Sequence, residues 1–93
     1  MDIRDQVYTY VVDTYLFGDG SHLKDDDSLT GGGFIDSTGV IELVAYLEST
    51  FNLRIEDDEI IPDNFDSVER ISRYIALKQS GQDVPRLQIA FAG

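Results

Sequence analysis

The sequence predicts an all-α fold: a four-helix bundle with three longer helices and a short third one. Three observations carry this. Apolar residues recur at offsets of three and four in three separate stretches, between them lie capping residues and glycines, and no pair of alternating segments offers a sheet. The chain has 93 residues, enough for one domain with a modest core.

The first helix is expected over residues 2 to 17. Ile3, Val7, Tyr10, Val11 and Thr14 form one stripe and Tyr8, Val12 and Tyr15 a second, with Asp2 to cap the start and Gly18 to end it left-handed. Residues 18 to 36 read as a long loop holding Asp25-Asp26-Asp27 and Gly31-Gly32-Gly33. Leu23, Leu29, Phe34 and Ile35 are spaced to anchor it to the core. Residues 37 to 51 form the clearest helix, with Val40, Leu43, Val44, Leu47 and Phe51 on one face, Asp36 or Ser37 as N-cap and Asn52 as terminator. Glu56-Asp57-Asp58-Glu59 suits the first turn of a short helix that Pro62 ends. A last helix is expected over residues 66 to 79, capped by Asp66 with Glu69 in a capping box and lined inward by Val68, Ile71, Ile75 and Tyr74. These helices make a domain of residues 1 to 79. Residues 80 to 93 form an extension in which Gly81 and Pro85 break the helix and Val84, Leu87, Ile89 and Phe91 alternate, an extended arm either packed on the bundle or loose.

Charge excludes several functions. Eighteen Asp and Glu against seven Lys and Arg give a net charge of −11. Such a surface repels nucleic acid and disfavours anionic membranes, and it attracts partners with basic patches. With no cysteine there is no disulfide framework and no thiolate metal site. Neither a signal peptide nor a membrane-spanning run is visible, so a cytoplasmic monomer is expected. So small a domain has little room for a catalytic cleft, and no enzyme activity is expected.

The motifs narrow the choice. Asp25, Asp27 and Asp36 have the spacing of calcium-loop ligands, but Leu29 and Thr30 stand where an oxygen ligand and a glycine are required. The triple glycine lacks the Gly-Lys-Ser/Thr of a P-loop. His22, the lone histidine, has no visible orienting acid for a Ser37–His22 nucleophilic pair and reads as a loop surface residue. What remains is Gly33 to Val44. There a glycine-rich loop delivers Asp36 and Ser37 to the start of an amphipathic helix, where free N–H groups and the positive end of the helix dipole favour a phosphate. Serine is also a favoured N-cap, so a purely structural role stands beside this one.

Ile35-Asp36-Ser37, Glu42-Leu43, Leu47-Glu48, Phe51, Ser67-Val-Glu-Arg-Ile71 and Tyr74-Ile75, in this order and spacing, resemble the acyl and peptidyl carrier proteins from about residue 3 to residue 78. The resemblance implies a four-helix bundle and a phosphopantetheinyl transferase that moves phosphopantetheine from coenzyme A onto Ser37, assisted by Asp36. The terminal thiol then holds an acyl or aminoacyl group as a thioester, for loading enzymes and downstream transferases of fatty-acid, polyketide, nonribosomal-peptide or related biosynthesis. The family usually has leucine after the serine, where this chain has Thr38 and then Gly39. Thr38, Ile41, Ala45, Glu42 and Glu48, with Glu56, Asp57, Asp58 and Glu59, are the expected partner face. Val44, Leu47, Ile60, Ile61, Phe65 and Ile71 either fill the core, the reading favoured by their apolar spacing, or line a cargo pocket, and Tyr46, Tyr74 and Thr38-Gly39 favour a short or polar cargo left in solvent. The alternative is a non-covalent acidic interaction module in which Ser37 only caps a helix.

Overall fold

The computed structural model describes residues 2 to 87. Four α-helices follow one another: α1 (Ile3–Tyr15), α2 (Ser37–Phe51), α3 (Pro62–Phe65) and α4 (Val68–Gln79), with a 3-10 turn at Asp57–Glu59. The bundle is all-helical, with a short third helix, as expected. Its core joins Val7 and Val11 of α1, Leu43 and Leu47 of α2, Phe65 of α3 and Val68, Ile71 and Ile75 of α4, with α1 and α3 both packed on α4.

α1 begins at the Asp2 cap, whose carboxylate accepts the Asp5 N–H at 2.7 Å. It ends two residues before the expected boundary, because the chain turns left-handed at Phe17 (φ 55°) and again at Gly18 (φ 81°). The long loop that follows is pinned down rather than loose. Leu23, Leu29 and Ile35 are buried, and the Leu29 N–H donates to the Asp66 carbonyl at 2.9 Å. The Asp66 carboxylate accepts from the Ser28 hydroxyl at 2.6 Å and the Thr30 hydroxyl at 2.8 Å.

Two expected boundaries are corrected. Pro62 does not end a short helix; it opens α3 at the first helical position, where a missing N–H costs nothing. The acids before it form the 3-10 turn instead, closed by a reciprocal bond pair between Glu56 and Glu59. Asp66 does not cap the last helix. Ser67 does, accepting the Arg70 N–H at 3.0 Å, while Asp66 ends α3 and spends its carboxylate on the loop.

After α4 the chain runs back over the bundle. Val84 is buried in the core, the Asn64 amide donates to the Pro85 carbonyl at 2.8 Å, and the Leu87 N–H donates to the Asp58 carbonyl at 2.7 Å. Of the two alternatives for this arm, packing holds at Val84, while Leu87 is tied by its backbone and its side chain is exposed. Ile89 and Phe91 lie outside the described residues.

Candidate functional site

The site forms where the long loop meets α2. Loop anchors Leu29 and Ile35 are buried, so the backbone enters the helix on a fixed path. Gly33, at φ +76°, makes the last left-handed turn before it. Asp36 is the N-cap: its extended backbone faces the helix and one carboxylate oxygen accepts the Gly39 N–H at 2.8 Å. Ser37 is thereby the first helical residue and is exposed. Among the described residues no group hydrogen-bonds its hydroxyl. The reading in which Ser37 caps the helix is therefore corrected: the adjacent carboxylate has taken that task, because it reaches the third-position N–H from the residue before the helix.

Gly39 is buried against the end of α1. A Cβ there would come within 3.2 Å of the Ile35 Cβ and 3.3 Å of the Tyr15 ring. The close approach lets the Tyr15 hydroxyl sit 3.1 Å from both the Gly39 carbonyl and the Glu42 carboxylate. Tyr10 stacks on Tyr46 at 3.8 Å between ring centres and meets Tyr15 edge-on, so α1 and α2 are joined here by an aromatic ladder. Burial first, then the Tyr10 hydroxyl and Glu42 carboxylate, push the Tyr15 phenol well above its usual range, so it stays a neutral donor.

An open groove runs past Ser37. Tyr15, Phe34, Val40, Ile41 and Ile60 supply apolar walls, and among the described residues Asp36 and Glu42 supply its charges. Beside it lies a smaller cavity of about 120 Å³ lined by Thr30, Val40, Ile60, Ile61, Pro62, Phe65 and Asp66. Of the expected cargo lining, Ile60, Ile61 and Phe65 meet this cavity. Val44, Leu47 and Ile71 do not; they fill the core between helices. Sequence reasoning missed Tyr15 and Phe34 as groove residues. The available signal was Gly39, a glycine inside a helix, which marks a close neighbour.

The expected partner residues separate by exposure. Thr38, Ile41, Glu42 and Ala45 are exposed along α2, as are Glu56, Asp57 and Asp58 on the acidic turn. Glu48 is half-buried and accepts the Ile55 N–H at 3.0 Å. Glu59 is a correction: it is fully buried and not part of any surface. Its carboxylate accepts from the Tyr74 hydroxyl at 2.9 Å and pairs with Lys78 at 3.1 Å and Arg86 at 3.0 Å. Burial alone would push it up; the Glu56 N–H, Lys78 and Tyr74 together outweigh that and hold it below the usual carboxylate range. The aspartates with calcium-ligand spacing are engaged elsewhere: Asp25 with Arg4 at 2.9 Å, Asp27 with the Lys24 N–H at 2.8 Å, and Asp36 with its helix.

No protein-family model matches the chain. Relatives do. A D-alanyl carrier protein of Streptococcus pyogenes serotype M5 (strain Manfredo) is 37% identical over 71 residues, covering 76% of this chain and 87% of that protein. A D-alanyl carrier protein of Streptococcus thermophilus (strain ATCC BAA-491 / LMD-9) is 32% identical over the same shares. Identity of this extent, carried on an all-helical bundle of the expected order, means that the chain belongs to the acyl carrier protein family.

Proposed function

We propose that this protein is a carrier that holds a small aminoacyl group on a phosphopantetheine arm attached to the Ser37 oxygen, and delivers it to partner enzymes. The observation that carries the proposal is the division of labour at the start of α2. Asp36 satisfies the helix, so the Ser37 hydroxyl is exposed and uncommitted at the positive end of a four-turn helix.

The residues present fit such a group. A phosphodiester at Ser37 would lie by the unpaired N–H groups of the first turn, which favour an anion. When bound, phosphopantetheine supplies the thiol that this cysteine-free chain lacks and to which a cargo is esterified. Only one carboxylate oxygen of Asp36 is used by the cap, which leaves the other for a basic group of the modifying enzyme. The exposed side chains Thr38, Ile41, Glu42 and Ala45, with Glu56, Asp57 and Asp58, form the face that partners read. Glu48 stands at its edge, and Glu59 supports it from below.

Two observations support a small aminoacyl cargo. The relatives are named for a D-alanyl group. The enclosed space next to the Ser37 groove is a cavity of only about 120 Å³, which suits a small group. The test is mass spectrometry after incubation with coenzyme A and a broad-specificity phosphopantetheinyl transferase. Wild type should gain the mass of one phosphopantetheinyl group. Ser37→Ala should gain none while its helical circular-dichroism signal persists. Wild type left unmodified by several transferases would overturn the reading.

A further inference from the structure

At the end of α1 stands a residue that neither the core nor the Ser37 groove explains. Phe17 is fully exposed, the extreme case among the large apolar side chains described. It also holds φ 55°, a conformation that a bulky side chain rarely adopts. Helices commonly place glycine at this position, directly after the C-cap; here Leu16 is the C-cap, Phe17 occupies the glycine's place, and Gly18 comes one residue late.

The turn is not loose. The Gly18 N–H returns to the Val12 carbonyl at 3.0 Å and the Asp19 N–H to the Leu16 carbonyl at 2.9 Å. The Tyr8 hydroxyl donates to the Gly20 carbonyl at 2.9 Å. Gly20 packs so closely on Tyr8 that a Cβ would collide with the ring. The fold thus pins an unfavourable backbone in order to hold an aromatic ring in water. A strained residue that its surroundings over-determine points to function more than to stability.

Its location indicates which function. Tyr15, two residues earlier, reaches the Gly39 carbonyl in the first turn of α2 and lines the groove beside Ser37. Phe17 therefore lies at the Ser37 end of the bundle, as does Ile41, the next most exposed large apolar side chain described, at 70%. Asp13 and Asp19, both exposed, flank Phe17 in the chain, and the charges that the described residues bring to the groove are those of Asp36 and Glu42. An enzyme that acts on the Ser37 oxygen must cover this end. A standard interface of about 800 Å² per partner takes in far more than one side chain.

We infer that Phe17 is a second docking anchor, used with the α2 face by the phosphopantetheinyl transferase, which offers it an apolar pocket rimmed by basic side chains. A single aromatic ring seated in such a pocket supplies a large share of binding, and the opposed charges select the partner. The inference rests on the carrier reading of Ser37.

Initial rates of modification of the unmodified chain by the transferase and coenzyme A test it, with Phe17→Gly and Phe17→Tyr beside wild type. Glycine adopts φ 55° freely, so Phe17→Gly should melt at a higher temperature than wild type. It should nevertheless show a KM for the carrier raised roughly tenfold at unchanged kcat. Phe17→Tyr, which keeps the ring, should retain the wild-type KM. Equal KM values for Phe17→Gly and wild type overturn the inference alone, since modification still occurs. So does a Phe17→Gly variant that loses kcat and melting temperature together, which would mark a structural role, or a Phe17→Tyr variant as impaired as Phe17→Gly. Wild type that is never modified overturns the carrier reading and this inference with it.

Discussion

Two adjacent residues, Asp36 and Ser37, divide tasks that a sequence pattern alone would let either perform. Both are good N-cap types, and only the backbone path out of Ile35 decides that the aspartate faces the helix. The consequence is measurable. Asp36→Ala leaves the Gly39 N–H without its 2.8 Å partner and should cost about 1 kcal/mol, a fall in melting temperature of roughly 4–8 °C for a domain of this size. Ser37→Ala removes a hydroxyl that holds nothing in the described structure and should change stability by less than about 0.5 kcal/mol. Thermal melts of the two variants check this. A Ser37→Ala variant as destabilised as Asp36→Ala would return the cap to the serine. The same reasoning separates stability from function at this site, because the structure spends no folding energy on the oxygen that would be modified.

At the level of elements, Glu59 ties the 3-10 turn to α4 and to the returning chain. Its carboxylate meets Tyr74 and Lys78 from α4 and Arg86 beyond it, while Asn64 holds the Glu59 and Pro85 carbonyls at 2.9 and 2.8 Å. Its folded pKa lies below the ordinary glutamate value of 4.5. Its contribution is therefore complete above that value and is lost as pH falls through the folded pKa, where the unfolded chain binds the proton first. Asp66, held down against its burial by the Ser28 and Thr30 hydroxyls, adds a loss of the same sign. The melting temperature should thus be flat from neutral pH to about pH 5 and fall below it. Glu59→Gln should lose about 3 kcal/mol at neutral pH, since it strips the buried charge from Lys78 and Arg86, and its acid limb should be shallower. A variant as stable as wild type at neutral pH would show that the network is not needed for the join. These connections mark where the sequence stopped being legible. The α2 stripe and the loop anchors Leu23, Leu29 and Ile35 follow from apolar spacing, which is a local signal. Glu59 sits among four consecutive acids, and nothing local distinguishes the one that burial selects. Asp66 and Ser67 are likewise adjacent cap types, and the assignment is made by Ser28, 38 residues away. Pro62 obeys two rules, ending one helix or starting another, and the 3-10 turn before it leaves it to start α3.

Across the whole molecule, charge is sorted by place. Among the described residues no basic side chain lines the groove: Arg4, Arg70 and Lys78 pair with Asp25, Asp63 and Glu59, while Arg54 and Arg86 pair with Glu56 and Asp58 of the acidic turn. The field around Ser37 is consequently negative, set by Asp36 and Glu42 with Asp57 of the turn, whose neighbours Glu56 and Asp58 are ion-paired to Arg54 and Arg86, on a chain of net charge −11. Such a field steers a basic partner toward the end of the bundle where the serine is exposed, and it acts on the association rate more than on the lifetime of the complex. Glu42 and Asp57 are the side chains on which to test this. Both are exposed, whereas Glu48 holds the Ile55 N–H and Glu59 is buried, so reversing either of those would confound docking with folding. Replacing Glu42 and Asp57 together by lysine changes the net charge by four units. At low salt the transferase should then modify Ser37 about tenfold more slowly than in wild type, and at high salt the two rates should converge as the charges are screened. The Tyr15 hydroxyl keeps the Gly39 carbonyl when Glu42 is gone, so the melting temperature should move little. A modification rate that is independent of salt and untouched by the double reversal would mean that the acidic face does not guide the enzyme, and recognition would then fall to the apolar side chains at that end, Ile41 and Phe17.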